Sequence, residues 1–279
     1  MSKVVTTVAG LREALAERKA ANASRVGMVP TMGALHEGHL TLVREARARA
    51  GTVVVSIFVN PTQFAPNEDF DAYPRTLDAD LQKLGKQVDI VFAPTVREMY
   101  PQGFATTLSV AGPSTGLETD FRPHFFGGVA TVVAKLLIAA LPDIAMFGEK
   151  DYQQLLVVKR LVRDLALPVE IIGVPTLREA DGLAMSSRNA YLSTDERKIA
   201  GELNVILKNA ISRARASNDL RAAEASAIEA LWAASFSHVD YVAIRDAETL
   251  DHITHLERPA RILAAAKIGK TRLIDNMAI

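Results

Sequence analysis

The feature that most constrains this chain is a rhythm. Through the first two thirds of its 279 residues, short β-branched runs alternate with amphipathic helical patterns. The strand candidates are residues 25–30, 52–59, 88–92, 143–147 and 169–174, and the intervening helix candidates are 11–20, 38–50, 76–86, 129–141 and 152–166. In the last of these, Leu155, Leu156, Val158, Leu161, Val162 and Leu165 trace an apolar stripe with charges opposite. Such alternation predicts an α/β fold, a mainly parallel sheet flanked by helices. Ligands of such sheets gather at the carboxyl ends of the strands.

After about Pro175 the rhythm changes. Residues 194–216 and 220–236 read as long helices, with 213–219 as the loop between them, and 238–244, 260–268 and 272–274 read as strands. Helices followed by clustered strands predict a smaller α+β domain. The expected division is therefore 1–176 and 177–279.

Composition narrows the functional classes. The 32 basic and 32 acidic residues cancel, so bulk charge asks for neither nucleic acid nor an anionic membrane, and any anion must be held by a local site. Without cysteine there is no disulfide, thiol nucleophile or thiolate metal site, which suits a reducing cytosol. The N-terminus does not read as a signal peptide. The most apolar segment, 129–141, contains Lys135 and stops at Pro142, short of the ~20 residues of a membrane span. The expectation is a soluble, cytoplasmic protein with no membrane partner.

Four stretches could carry chemistry. In VPTMGALHEGHLTL a strand ends at Pro30, Gly33 turns the chain, and a helix starts near His36, so that His36 and His39 share its first turn. A helix start offers free N–H groups and partial positive charge, Gly33 and Gly38 allow close approach, and two imidazoles could donate to a phosphate. A zinc site is the alternative, but the metalloprotease pattern spaces its histidines four apart rather than three. His252 and His255 repeat the spacing in a polar stretch with no strand or glycine turn around it, and read as ordinary surface or packing residues.

FGEKDYQQL is a second strand-to-helix junction, with Gly148 at the turn, Lys150 able to reach a phosphate, Asp151 suited to ribose hydroxyls, and only one of Gln153 and Gln154 able to face a site. Its plainer reading is a helix start where Glu149 and Asp151 complement the dipole. DGLAMSSRN offers serine N–H and O–H groups and Arg188 for a triphosphate, or is a polar interdomain loop. SIFVNPTQF leaves a buried strand with Asn60 and Gln63, neutral amides that fit a hydroxylated substrate, although Asn-Pro is also an ordinary turn former.

PTMGALHEGH, FVNPTQF, YPRT, FGEKDYQQ and GLAMSSRN, in this order and followed by IRDAETL and RLIDN, resemble the pantothenate synthetase (pantoate–β-alanine ligase) family over nearly the whole chain. The resemblance implies a Rossmann-like domain of the nucleotidyltransferase superfamily, ATP and Mg²⁺ as requirements, pantoate and β-alanine as substrates, and a homodimer. It implies that pantoate is adenylated on its carboxylate and that β-alanine then displaces AMP. It assigns catalysis to His39, His36, Lys150 and Arg188. ATP contacts fall on Met32, Gly33, Ala34, Leu35, His36, Glu37, Gly38, His39, Gly148, Glu149, Lys150, Asp151, Leu177, Met185, Ser186, Ser187 and Arg188. Gln63 would bind pantoate and β-alanine, Gln154 pantoate, and Pro30, Met32 and Phe58 the apolar methyls of pantoate. Asp80 is a candidate metal contact.

Many members read Arg-Pro-Gly-His-Phe-x-Gly-Val where this chain reads RPHFFGGV, so His124 is left out of the site. The nearest rival is a nucleotidylyltransferase acting on a phosphorylated acceptor, which would want more basic residues beside Gln63 and Gln154. A nucleotide sensor or RNA-binding module is opposed by the intact His36, His39, Lys150, Ser187 and Arg188, and by the lack of basic excess.

Overall fold

A computed structural model describes residues 2–21, 24–65, 68 and 70–279. The strands are β1 (Lys3–Val5), β2 (Val26–Thr31), β3 (Thr52–Ile57), β4 (Ile90–Phe92), β5 (Ile144–Gly148), β6 (Glu170–Val174), β7 (His238–Asp246), β8 (Ala260–Ile268) and β9 (Thr271–Ala278). The helices are α1 (Val8–Ala21), α2 (Glu37–Arg49), α3 (Leu77–Leu84), α4 (Val96–Met99), α5 (Glu118–Phe121), α6 (Phe125–Ala140), α7 (Tyr152–Asp164), α8 (Thr194–Ser217) and α9 (Leu220–Ala233). They fall into two compact units, one of residues 1–111, 122–149 and 157–175, the other of 112–121, 150–156 and 176–279.

In the first unit six strands form one sheet in the order β1-β4-β3-β2-β5-β6, with every pair parallel. Parallel strands covered by helices are buried on both faces and need not alternate, which is why TVVVSI in β3 keeps Val53, Val54 and Val55 all fully buried. Leu42, Val43 and Ala46 of α2 pack into one core with Val29, Val55, Val91, Ile144 and Met146.

Several boundaries differ from expectation. β1 was not predicted; three residues carry too little pattern, and its place comes from pairing with β4. The strand expected at 52–59 stops at Ile57, because Asn60 caps a short turn over Pro61–Gln63. The helix expected at 129–141 starts at Phe125. At its Gly128 a Cβ would lie 2.3 Å from the carbonyl oxygen of Thr62, so glycine lets the helix backbone touch that turn.

The second unit holds the antiparallel sheet β7-β8-β9 against α8 and α9. Leu203, Leu207, Leu231, Phe236, Ile244, Ile262 and Ala264 share its core. The loop expected at 213–219 shrinks to Asn218, left-handed at φ 53°, and Asp219, whose carboxylate caps α9. The third strand is Thr271–Ala278 rather than the three residues expected. A polar cluster is buried here: Arg272 reaches both oxygens of Glu118 at 2.8 Å and Asp240 at 2.6 Å, while the Tyr241 hydroxyl donates to Glu118 at 2.8 Å. Burial and the Glu118 charge push the Tyr241 phenol well above its ordinary pKa.

Candidate active site

β2 is flanked by β3 on one side and β5 on the other, and chain order reverses there. β2 and β5 pair only at Gly27–Ile144 and Met28–Ala145, so their carboxyl-terminal halves are not laddered to one another. Ligands of open parallel sheets bind at such a reversal. β2 runs into the histidine segment there, and β5 ends at Gly148, half-buried and followed by Glu149.

The turn after β2 is held from several sides. The Thr31 hydroxyl donates to the Ser56 carbonyl at 2.7 Å and accepts the Gly33 N–H at 3.2 Å. Gly33 has φ 84°, and Ala34 is left-handed at 50°, which costs a non-glycine residue on the order of 1 kcal/mol. Fully buried Asp80 of α3 offsets this, accepting the N–H groups of Ala34 at 3.0 Å and Leu35 at 2.8 Å. Lys83, one turn on, donates to the Leu35 carbonyl at 2.6 Å. Met32 is half-buried and Leu35 buried.

His36 is the N-cap of α2 and His39 its third residue, and they form a reciprocal capping box. Nδ1 of His36 accepts the Gly38 N–H at 3.2 Å, and Nδ1 of His39 accepts the His36 N–H at 3.3 Å. A ring nitrogen that accepts carries no proton, so each ring keeps its N–H on Nε2. The rings stand 4.1 Å apart between centroids. The result is two Nε2–H donors beside the positive end of a helix. Glu37 is exposed and its carboxylate binds Arg44 at 2.6 Å, so its share in an anion site is its backbone N–H.

Met32, Gly33, Ile57, Phe58, Pro74 and Pro94 help line an apolar cleft of about 320 Å³; Pro30 and Gln63 lie outside that lining. Gln63 is buried, and its Oε1 accepts from Asn60 Nδ2 at 2.9 Å, which leaves the Gln63 amide nitrogen as the donating end. Asn60 is fixed by the Tyr100 hydroxyl at 2.7 Å and by the Gly128 carbonyl at 3.3 Å. Arg122 donates to the Gln63 carbonyl at 3.0 Å, grips Glu68 at 2.6 and 2.8 Å, and stacks 3.9 Å from the Phe125 ring. Burial raises the Glu68 pKa, but the hydrogen bonds and charge of Arg122 outweigh it and hold the carboxyl below its ordinary value. In RPHFFGGV, then, Phe125 supports Arg122, while His124 stands at the N-cap position of α6 without a side-chain cap bond.

In the second unit Lys150 lies 3.7 Å from Asp151 in a short turn before α7. Of the two glutamines, Gln153 is buried and fully engaged with Glu118 N–H at 3.1 Å and the Pro113 and Gly116 carbonyls at 3.0 and 3.1 Å. Gln154 is the half-buried one of the two. Residues 177–185 make a tight hairpin: Met185 N–H donates to the Leu177 carbonyl at 3.0 Å, Glu179 N–H to Leu183 at 2.8 Å, and Gly182 turns at φ 90°. Ser186 caps the next turn by accepting the Arg188 N–H at 3.2 Å, and Met185, Ser186, Ser187 and Arg188 are all half-buried. His252 and His255 are exposed and outside any helix.

Sequence reading passed over the anchoring roles of Lys83, Tyr100, Arg122 and Arg178, whose partners are distant in sequence. Asp80 was a metal candidate, yet both its oxygens serve the histidine turn. Among the described residues no cluster of three or more His, Cys, Asp or Glu could cage a metal. No helix of the described residues is long and apolar enough to cross a membrane.

A model of the pantoate-beta-alanine ligase family matches residues 3–278. The chain is 58% identical over 278 residues to a pantothenate synthetase of Mesorhizobium japonicum, covering 99% of this chain and 98% of that one. It is 56% identical over 280 residues to the pantothenate synthetase of Caulobacter vibrioides, with the same coverage. The crystal structure of pantothenate synthetase from Thermus thermophilus superposes with a TM-score of 0.92 at 49% identity, over 99% of this chain and 98% of that one. A pantoate-beta-alanine ligase from Francisella tularensis, complexed with beta-gamma ATP and beta-alanine, superposes with a TM-score of 0.82 at 34% identity, over 99% and 97%.

Proposed function

Because this chain belongs to the pantoate–β-alanine ligase family and is an ATP-dependent ligase forming pantothenate, we propose that it works through a pantoyl adenylate assembled on the residues described above. A carboxylate oxygen of pantoate attacks the α-phosphorus of ATP, the bond to the β-phosphate oxygen breaks, and pyrophosphate leaves. The amine of β-alanine then attacks the acyl carbon of the mixed anhydride, the carbon–oxygen bond breaks, and AMP leaves. Hydroxide is a poor leaving group and AMP a good one, so the protein has mainly to position reactants and neutralise charge. No covalent enzyme intermediate is required.

The single observation that carries this reading is the histidine capping box, which turns His36 and His39 into a matched pair of Nε2–H donors at a helix N-terminus. Their catalytic task is to stabilise phosphate charge that grows as the α-phosphorus is attacked. Lys150 and Arg188 neutralise the phosphates with Ser186 and Ser187, and Met185 and Leu177 place that loop. Gly148, Glu149 and Asp151 take the nucleoside, Asp151 through the ribose hydroxyls. Gly33, Ala34, Leu35, Glu37 and Gly38 shape the phosphate turn through their backbones. Gln63, whose Oε1 is taken up by Asn60, donates through its amide nitrogen to pantoate and β-alanine; Gln154 binds pantoate, with Met32, Pro30 and Phe58 against its methyls. Mg²⁺ would be held through the phosphate oxygens of ATP, since this ion commonly keeps several waters and rides on phosphates. The division of labour assigns ATP and pantoate to residues 1–176 and the closing phosphate loop to 177–279, in a cytoplasmic homodimer whose mass sedimentation equilibrium would check.

The test is pyrophosphate release with pantoate and ATP, with and without β-alanine. The proposed route gives a single turnover of pyrophosphate without the amine and sustained AMP formation only with it. Dependence on a phosphorylated acceptor would instead identify the nucleotidylyltransferase.

A further inference from the structure

Two consecutive residues of β9, Asp275 and Asn276, lie in the motif RLIDN, which has no place yet in the chemistry. Both are almost completely buried, at 2% and 3% exposure, although polar side chains are seldom buried without a specific partner. Asp275 receives a two-pronged ion pair from Arg178, Nη1 to Oδ2 at 2.7 Å and Nη2 to Oδ1 at 2.9 Å. The same guanidinium donates to the Gly182 carbonyl at 2.9 Å and to the Asn276 carbonyl at 3.3 Å. Asn276 Nδ2 donates to the backbone carbonyl of Lys150 at 2.7 Å, and Asp275 Oδ1 accepts the Asn276 N–H at 2.7 Å.

Successive side chains of a strand leave on opposite faces, so neighbouring residues of one strand can address two separate segments. Asp275 addresses the 177–185 hairpin through Arg178, which is paired across that hairpin with Ala184 and spans its turn to Gly182. Asn276 addresses the turn of Lys150. A planar, bidentate Arg–carboxylate pair fixes orientation as well as distance, which a lysine cannot reproduce. Buried ion pairs are poor stabilisers compared with apolar residues of the same volume, so stability alone is a weak reason for this one.

We infer that Asp275 and Asn276, with Arg178, are positioning residues that hold the two phosphate-binding segments, the Lys150 turn and the hairpin leading to Ser186–Arg188, in the register needed for adenylation. The inference rests on the proposed role of those segments as ATP phosphate ligands. They meet the phosphates that leave as pyrophosphate before the amine attacks, while Asp151, beside Lys150, also holds the ribose that the adenylate retains. Disturbing the register therefore slows the first half-reaction more than the second.

The experiment uses the full chain and three variants, Asn276→Ala, Arg178→Lys and Lys150→Ala. Adenylation is read as pantoate-dependent pyrophosphate release over a range of ATP concentrations. The second half-reaction is read as pantothenate formed from supplied pantoyl adenylate and β-alanine. Asn276→Ala and Arg178→Lys are expected to lower kcat/KM for ATP by roughly 10- to 100-fold, the scale of an ångström's misplacement, with a clearly smaller loss in the second half-reaction. Arg178→Lys retains the charge and keeps the test alive if Asn276→Ala does not fold. Parallel losses in both half-reactions would reduce the residues to general scaffolding and overturn the inference. So would full adenylation in both variants while Lys150→Ala loses it, which would leave the phosphate reading standing. Full adenylation by Lys150→Ala would overturn the phosphate reading, and the inference with it.

Discussion

The chain contains two His-x-x-His pairs, and they have little in common beyond spacing. His36 and His39 lie in the first turn of α2, where each Nδ1 accepts a backbone N–H and each ring is thereby fixed as an Nε2–H donor. His252 and His255 lie in an exposed loop, where His252 takes part in an isolated bridge with Arg245. Three-residue spacing acquires chemical meaning from the helix start, because there the backbone supplies both the hydrogen bonds that orient the rings and the partial charge that draws an anion. Around the first pair the neighbouring turn is pinned by Asp80 and Lys83; around the second, Asp246 accepts the Glu248 and Thr249 N–H groups at 2.9 Å and Asn218 accepts the Leu256 N–H at 2.8 Å, but no helix begins among the described residues there.

The widest separation between the pairs should appear on replacing the rings. His39→Ala is expected to lower pyrophosphate release by roughly 10²- to 10³-fold, the usual cost of losing one donor to developing charge, while circular dichroism stays unchanged. Combining His252→Ala with His255→Ala should change neither quantity. His39→Asn offers an oxygen acceptor near the position of Nδ1 but no donor corresponding to Nε2–H; if it restored activity, the ring's role would be capping rather than catalysis.

A smaller contrast concerns the anchors. Asp80→Asn puts an amide where two backbone N–H groups need acceptors, and should cost ~1–3 kcal/mol in urea unfolding together with slower adenylation. Asp251→Asn, beside the exposed pair, should leave both as they are.

The smallest effect expected is a pH dependence at the Gln63 turn. Arg122 depresses the Glu68 pKa below 4.5, so its contribution to stability is present above that value and is lost as pH falls through the lower folded value. The Tm difference between the parent and Glu68→Gln should therefore hold steady above pH 4.5 and shrink below it. A difference that stayed constant into strong acid would show that the Glu68 charge contributes nothing there.

Much of this was legible in the residues. The alternation of strands and helices announced the parallel sheet, because the periods of 2 and 3.6 and the buried β-branched runs follow from local geometry. Pro30, Gly33, His36 and His39 announced a strand, turn and helix start for the same reason. What escaped was short or depended on distant partners: β1, whose three residues only make sense beside β4, and the first turn of α6, where Gly128 is packed against Thr62.

By itself, then, the sequence determined the α/β class and the family and pointed to the stretches proposed to carry the chemistry, since each is written in residues that are near neighbours in the chain. The tertiary structure alone decided which atoms are available within those stretches. It buried Gln153 and left Gln154, set the tautomers of His36 and His39, and assigned Asp80 to the turn 45 residues before it. It also joined Arg178 to Asp275 and Lys150 to Asn276, across 97 and 126 residues. Hydrogen bonds of that kind are chosen by which groups the packed fold brings together away from water, and no local pattern encodes that choice.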